Sequence, residues 1–231
     1  MWNKNLALYG GFNGTEHYLS QRDFTNNPVY VDGQGSGCFS LSGAASTVII
    51  RLLHKEWLLP SNPGGGISNK NIATSLTIAN CTFRDNHASQ GGGINNSNNT
   101  SRLMVINCLF ENNTASIGKT GGGIYSMSAG TDISQSVFTG NTAGNGGGIS
   151  CTGPKICISN SLFNGNSAYT GSYDSRGGGI GIWNSADAAI TNCTVYGNQA
   201  SYKGGGIYCE RQAWVSIWNS IVSGETSGGI M

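Results

Sequence analysis

The feature that most constrains this chain is a repeat of the four residues Gly-Gly-Gly-Ile. Its isoleucine recurs at intervals of 27, 30, 25, 31 and 27 residues, at Ile67, Ile94, Ile124, Ile149, Ile180 and Ile207. A shortened copy, Gly228-Gly229-Ile230, follows 23 residues later. A period of ~20–50 residues is typical of solenoids, propellers and other repeat arrays, in which each unit buries its apolar surface against its neighbours.

A second pattern runs in phase with the first. An Asn or Gln is followed by Cys or Ser one residue later, by a large apolar residue three later and by another Asn six later, as at Asn107, Cys108, Phe110 and Asn113. Before each Asn or Gln, apolar and polar residues alternate, which is the two-residue period of a half-buried strand. Each unit is therefore predicted to carry three short strands: at Gly-Gly-Gly-Ile, before the Asn or Gln, and at the Cys-x-Phe segment.

These strands predict an all-β fold, a single parallel β-helix of about seven coils. The repeats occupy residues 61–231, and stacking parallel strands at ~4.8 Å places like residues over like, so the phenylalanines and the second asparagines should form ladders. A propeller blade needs ~40–45 residues, which is more than the intervals here. Residues 1–60 lack the repeat and are predicted to form an N-terminal cap and the first coil or coils, because an open end exposes unpaired strand edges.

The low charge of the chain excludes several classes of partner. Charged residues make up 10% of the sequence and the formal net charge is +1, which argues against a nucleic-acid-binding protein. No apolar run reaches the 18 residues or so of a transmembrane helix, and the N-terminus lacks the apolar segment of a secretory signal.

The repeat resembles that of a known family. The strings Phe83-Arg-Asp-Asn86, Phe110-Glu-Asn-Asn113 and Phe138-Thr-Gly-Asn141 alternate with Gly-Gly-Gly-Ile, which is similar to the GGA[ILV]/FxxN repeat of the chlamydial polymorphic outer-membrane proteins. The wider likeness is to right-handed parallel β-helix, pectin-lyase-like surface proteins of bacteria. This resemblance covers residues 61–231 and implies a right-handed coil and a cell-surface or extracellular location. The chain stops halfway through a coil, so we expect a fragment of a longer protein.

The resemblance favours a surface-exposed or secreted, adhesin-like or passenger-like binding module without catalytic activity. The alternative is a carbohydrate-active β-helix: a polysaccharide lyase, a hydrolase or a glycan-binding module. Such an enzyme would need acidic and basic residues together on one outer face, and the six aspartates of the sequence are scattered. No catalytic residue, metal ligand or cofactor is therefore predicted.

Loop length is the best hint of a binding surface. Between the second Asn of a unit and the next Gly-Gly-Gly lie 4, 7, 4, 10 and 5 residues, whereas the two Asn positions are always six apart. Insertions in solenoids collect on the face that meets partners. We therefore predict that the ligand is a glycan or a host or other cell-surface protein. The uncapped C-terminal coil separately predicts end-to-end association. The predicted binding residues are Tyr125, Tyr169, Tyr173, Asp174, Arg176, Tyr202, Lys203 and Tyr208.

The remaining predictions concern stacked pairs. Cysteines and serines share one inward column, which predicts a small buried position: Cys81, Cys108, Ser136, Ser161, Cys193 and Ser220. Cys81 and Cys108 fall on adjacent coils, where a disulfide is geometrically conceivable, but a buried free thiol is the favoured interpretation. Arg84 and Glu111 share an outward position and are predicted to form an ion pair.

Overall fold

A computed structural model of the chain describes the side chains of residues 64–70, 75–97, 99–169, 174–184, 187–210 and 213–231, and the backbone of four strands before residue 64. The described residues contain β-strands and turns but no helix. Accordingly, this part of the chain offers no helix of the length and apolarity needed to span a membrane. The strands form three sheets in which neighbours run parallel, so the chain coils as a β-solenoid, as the sequence predicts.

Strands are numbered in chain order. Sheet 1, which holds the segments before each Asn or Gln, contains β1 (Leu6–Tyr9), β3 (Thr47–Arg51), β6 (Ser75–Ala79), β9 (Arg102–Ile106), β13 (Gly130–Ser134), β17 (Lys155–Ser159), β21 (Asp187–Thr191) and β25 (Trp214–Trp218). Sheet 3, which holds the Gly-Gly-Gly-Ile segments, contains β2 (Phe39–Leu41), β5 (Ile67–Asn69), β8 (Ile94–Asn96), β12 (Ile124–Ser126), β16 (Ile149–Thr152), β20 (Ile180–Trp183) and β24 (Ile207–Cys209).

Sheet 2 has two arms. The arm of Cys-x-Phe segments contains β4 (Leu53–Pro63), β7 (Thr82–Gln90), β10 (Leu109–Glu111), β14 (Val137–Thr139), β18 (Leu162–Asn164), β22 (Thr194–Tyr196) and β26 (Ile221–Ser223). The other arm holds two-residue strands that the sequence did not predict: β11 (Thr114–Ala115), β15 (Thr142–Ala143), β19 (Ser167–Ala168) and β23 (Gln199–Ala200). The long strand β7 joins the arms, because it pairs with both β10 and β11.

The repeat completes fewer turns than predicted. Each isoleucine of the motif pairs with the isoleucine of the next, and the five steps from Ile67 to Ile207 make five complete coils rather than about seven. The strands β1–β4 extend the sheets below Ile67, but much of the chain between them lies outside the described residues. The coil after Ile207 is incomplete. The predicted boundary between a cap and the repeats at residue 60 stays a prediction.

The core consists of stacked identical residues. Phe83, Phe110, Phe138 and Phe163 are at most 2% exposed, and their rings stack with centroids 4.7–4.8 Å apart. This confirms the predicted phenylalanine ladder. The outward neighbours of these rings include Arg84 and Glu111, which form the predicted ion pair across adjacent coils.

Left-handed residues mark two corners of each coil, one before and one after the Cys-x-Phe strand, and a third left-handed position is the first glycine of each Gly-Gly-Gly. At the first corner the backbone φ is between 47° and 55°, at Asn80, Asn107, Gln135, Asn160, Asn192 and Asn219. Asn tolerates this conformation better than most residues with a Cβ. The second corner lies one residue before the second Asn of each unit and holds Asp85, Asn112 or, in later coils, glycine. The inward asparagines that follow, such as Asn86 and Asn113, are fully buried and linked side chain to side chain at 2.7 Å.

Candidate functional site

Most of the predicted binding residues lie at the corner between sheet 2 and sheet 3, where loop length varies most. The longest loop and its neighbour on the next coil are tied together by backbone contacts. Arg176 forms a parallel β-bridge with Lys203, and the backbone N–H of Tyr202 donates to the carbonyl of Ser175 at 3.0 Å. The N–H of Arg176 also donates to Asn145 Oδ1 at 2.9 Å, on the coil below. These residues therefore present their side chains from a backbone held on both sides.

The Arg176 guanidinium is the centre of this corner. Its carbon lies 5.3 Å from the ring centroid of Tyr202 and 5.5 Å from that of Tyr208, so one cation contacts two aromatic rings. Asp174 pairs with the same guanidinium, and Lys203 Nζ lies 5.0 Å from the Tyr202 ring. Contacts between a cation and an aromatic face contribute ~0.5–1 kcal/mol each when exposed. The arginine is thus positioned by its neighbours rather than free in solvent.

A tryptophan that the sequence did not single out completes the cluster. The ring of Trp183 lies 4.9 Å from that of Tyr208, and its Nε1 donates to Ser150 Oγ at 3.0 Å. The ring folds over Gly181, where an added Cβ would meet Trp183 Nε1 at 3.0 Å. One feature of the sequence could have indicated this contact: Gly181 occupies an outward position of its strand, two residues before Trp183, and leaves room for the indole ring. We call the resulting cluster the aromatic edge: Asp174, Arg176, Trp183, Tyr202, Lys203 and Tyr208.

Two predicted residues, Tyr125 and Tyr169, fall elsewhere. Tyr169 is 61% exposed at the start of the long loop and has no ion pair or ring contact with the aromatic edge in the described part of the chain. Tyr125 lies on the outer face of sheet 3, three strand steps, or ~14 Å, from Tyr208. Its phenol is half-buried, which raises its pKa. Tyr173 lies outside the described residues. The structure therefore brings together five of the eight.

Comparison with known proteins places the fold. A family model of the right-handed β-helix region matches residues 66–231. The chain belongs to this right-handed β-helix family. No curated protein and no solved structure matches it significantly. The finer likeness to the chlamydial outer-membrane proteins and to pectin-lyase-like proteins stays a prediction.

The outer face of this β-helix carries a charged cluster that the sequence did not show. On sheet 1, Arg102 Nε donates to Asp132 Oδ2 at 2.6 Å, across adjacent coils, and this hydrogen bond raises the pKa of Arg102. Both side chains line a pocket of about 260 Å³ together with Lys155 from the third coil. Scattered in sequence, the three charges meet because strands of successive coils stack. Among the residues described here, no group of three His, Cys, Asp or Glu side chains could hold a metal ion.

The inward cysteines of the β-helix form hydrogen bonds to backbone carbonyls within the core. Cys81 and Cys108 are each 3% exposed, and no disulfide joins them, as favoured from the sequence. Cys108 Sγ donates to the carbonyl of Ile106, two residues earlier, at 3.3 Å, and Ser136 Oγ makes the equivalent bond to Ser134 at 2.8 Å. Cys and Ser exchange in this column because both donate to the carbonyl that precedes the left-handed corner.

The last coil exposes aromatic residues that the sequence analysis also missed. Trp214 and Trp218 project from the outer face of β25 and are 81% and 67% exposed, and Ile221 of β26 is 61% exposed. On the inner face, Val215 and Ile217 are only partly buried, although they pack against the core. The predicted end-to-end association would cover these inner residues, and it stays a prediction.

Proposed function

We propose that this β-helix is a non-catalytic binding module, exposed at a cell surface or secreted, and that it recognises its ligand through the aromatic edge. One observation carries the proposal: the Arg176 guanidinium lies within 5.5 Å of the ring centroids of both Tyr202 and Tyr208, and the Tyr208 ring in turn contacts Trp183. Aromatic rings offer large, rigid contact areas, and arginine and aromatic residues dominate the binding energy of many interfaces. The partner is a glycan or a protein of another cell surface.

The scaffold supports this role. Both loops of the aromatic edge are anchored by backbone hydrogen bonds to adjacent coils, so little conformational freedom would be lost on binding. Only one carboxylate, Asp174, belongs to the edge, and it pairs with Arg176. Glycoside hydrolysis uses two carboxyl groups on either side of the bond, so binding without turnover is the function that fits this cluster.

The binding test compares the intact chain with variants on a glycan array and on cells. Tyr202→Ala and Arg176→Gln should each weaken binding by at least tenfold, the effect of losing a central aromatic or arginine contact worth ~2 kcal/mol. Tyr196→Ala is the matched control, since Tyr196 is 55% exposed on sheet 2, away from the edge. Equal losses in all three variants, or none, would contradict the proposal. Labelling intact cells with an antibody tests the surface location.

The alternative, a carbohydrate-active β-helix, is favoured by a different observation. The Arg102, Asp132 and Lys155 cluster on sheet 1 is an outward group of acidic and basic residues that spans adjacent coils. Incubation with a panel of polysaccharides distinguishes the two functions. Release of new reducing ends, abolished by Asp132→Asn but not by Arg176→Gln, would favour the enzyme over the binding module.

A further inference from the structure

The pocket on sheet 1 exists because of a missing side chain. One outward column of sheet 1 contains Arg102, Gly130 and Lys155 on three successive coils. Gly130 pairs with Arg102 on one side. On its other side it lies next to Lys155, because Thr131 pairs with Ile156. The glycine therefore separates two cationic residues. A Cβ added at Gly130 would meet only Arg102 Cγ, at 3.7 Å. The space above the glycine is open, and Arg102, Asp132 and Lys155 border it.

A buried hydroxyl cluster holds the floor of this pocket in place. The hydroxyls of Ser126, Ser128 and Thr131 lie 2.8–2.9 Å from one another inside the coil and are at most 2% exposed. Ser128 Oγ also donates to the carbonyl of Gly130 at 2.9 Å. The backbone N–H of Ala129, another pocket residue, donates to the carbonyl of Ser101 at 2.8 Å. Hydrogen bonds from inside the coil therefore hold the backbone of the pocket floor in place.

The charges around the pocket leave hydrogen-bond donors available. Asp132 accepts from Arg102 Nε, which neutralises one cation, while the terminal nitrogens of a guanidinium carry four further N–H donors. Lys155 is exposed and forms no ion pair with any residue of the described part, although Asp187 is its strand partner on the next coil. The Lys155 ammonium and the Arg102 guanidinium belong to strands two coils apart. An anionic group placed between them could accept hydrogen bonds from both.

We propose that this pocket is a second binding site, separate from the aromatic edge, and that it takes the carboxylate or sulfate group of an acidic glycan. The anionic group lies above Gly130, between Lys155 and Arg102. Sugar hydroxyls bind the Asp132 carboxylate and the hydroxyl of Thr100, which also lines the pocket. The same outward column continues through Asp187 to Trp214, four strand steps or ~19 Å from Arg102. A glycan chain lying along the column therefore reaches an 81% exposed indole, on which the apolar face of a sugar ring packs.

The structure supplies a position at which a side chain can be added into the pocket. Gly130 lies in a strand, is outside the left-handed region, and has room for a side chain. Gly130→Val places an apolar side chain that favours strands where the anionic group is proposed to lie, and Lys155→Gln removes the ammonium group. Ser134→Val places the same side chain on the outer face at the other end of strand β13 and serves as the control. Far-ultraviolet circular dichroism checks that all three variants fold.

The experiment titrates isotope-labelled protein with sodium glucuronate and sodium sulfate and follows by NMR the backbone amide signals of Ala129 and Asp132, two pocket residues that none of the variants replaces. Glucose and sodium chloride at equal ionic strength are the ligand controls. We expect saturable chemical-shift changes with the two anions only. The affinity for both anions should fall about tenfold or more in Gly130→Val and in Lys155→Gln, and it should be unchanged in Ser134→Val.

Three results would overturn the proposal: no saturable shift with either anion, equal shifts with sodium chloride, or undiminished binding by Gly130→Val. A hexaglutamate peptide that binds the pocket more tightly than glucuronate would replace the glycan with an acidic protein segment. Because the aromatic edge lies on sheet 3 and at its corner with sheet 2, whereas the pocket lies on sheet 1, Arg176→Gln should leave these titrations unchanged. Failure of one site is thereby distinguished from failure of the other.

Discussion

Asn113 Nδ2 donates to Asn141 Oδ1 on the next coil at 2.9 Å, and the same oxygen accepts the backbone N–H of Asn113 at 2.9 Å. The second hydrogen of the amide goes to the carbonyl of Phe83, also at 2.9 Å. The side chain thus uses both donors and its acceptor at a fully buried position. Aspartate would lack the donors, and alanine would leave buried backbone groups unpaired, so this column specifies asparagine.

The first prediction concerns this ladder. Asn141→Ala removes the acceptor of Asn113 and the donor to Phe110 and Asn166. Because each buried polar group left unpaired costs ~1–3 kcal/mol, we expect the free energy of unfolding to fall by about 3 kcal/mol or more. Urea denaturation measures the change. Asn164→Ala, on the outer face of sheet 2, should change it by less than ~0.5 kcal/mol. If the two substitutions lowered the free energy of unfolding equally, the buried ladder would stabilise the protein no more than an exposed asparagine does.

The second prediction concerns the aromatic stack. Phe110 is fully buried, and its ring stacks on Phe83 below and Phe138 above. Phe110→Ala leaves a cavity between two rings and should lower the free energy of unfolding by ~3–5 kcal/mol. Thr82→Ala, at an outward position of the same sheet, should be nearly neutral. A nearly neutral Phe110→Ala in thermal denaturation would show that the stack repacks around the gap.

The third prediction concerns Glu225, which takes the place of asparagine at the end of the ladder. Its Oε1 accepts from Asn198 Nδ2 at 3.4 Å, while Oε2 is buried without a hydrogen-bond partner in the described residues. Burial raises the pKa of this carboxyl. The folded state therefore favours the protonated acid, and stability is lost as the pH rises from the unfolded value of ~4.3 through the raised folded value.

Glu225→Gln keeps the group neutral and should be more stable than the wild type at pH 7, with the difference shrinking toward pH 4. The thermal midpoints of both proteins are measured across this pH range and subtracted. Because the two proteins share all other carboxylates, the effect of those groups cancels in the difference. A difference that stays constant with pH would show that Glu225 does not titrate between these limits.

The fourth prediction concerns thiol reactivity. Burial raises the pKa of Cys151 to about 12 and that of Cys209 to about 11, so few of these groups are thiolates at pH 8. Cys157 is partly exposed on the outer face of sheet 1. Brief treatment of the folded protein with iodoacetamide should label Cys157 well before Cys151, as read by peptide mass mapping. After unfolding without reductant, Cys81 and Cys108 should also be labelled, whereas resistance of that pair would reveal a disulfide.

The sequence by itself determined the solenoid and the direction of most side chains. A strand period of two assigns every residue of a half-buried strand to one face, and a slip by one residue would expose the whole core set. The repeat then stacks like on like. For this reason Phe83 over Phe110, Arg84 beside Glu111, and the buried Cys and Ser column could all be predicted from the repeat alone.

Only the tertiary structure decided which unlike residues meet. Arg102, Asp132 and Lys155 come from three coils of different length, and Trp183 reaches Tyr208 by folding across Gly181. The two-residue strands after the second corner, such as Thr114–Ala115, are too short to show a period. Repeat spacing defines the stacked columns, but contacts between neighbouring columns depend on side-chain rotamers and on loops of unequal length. Those are properties of the folded coil, so the aromatic edge and the charged pocket became visible only there.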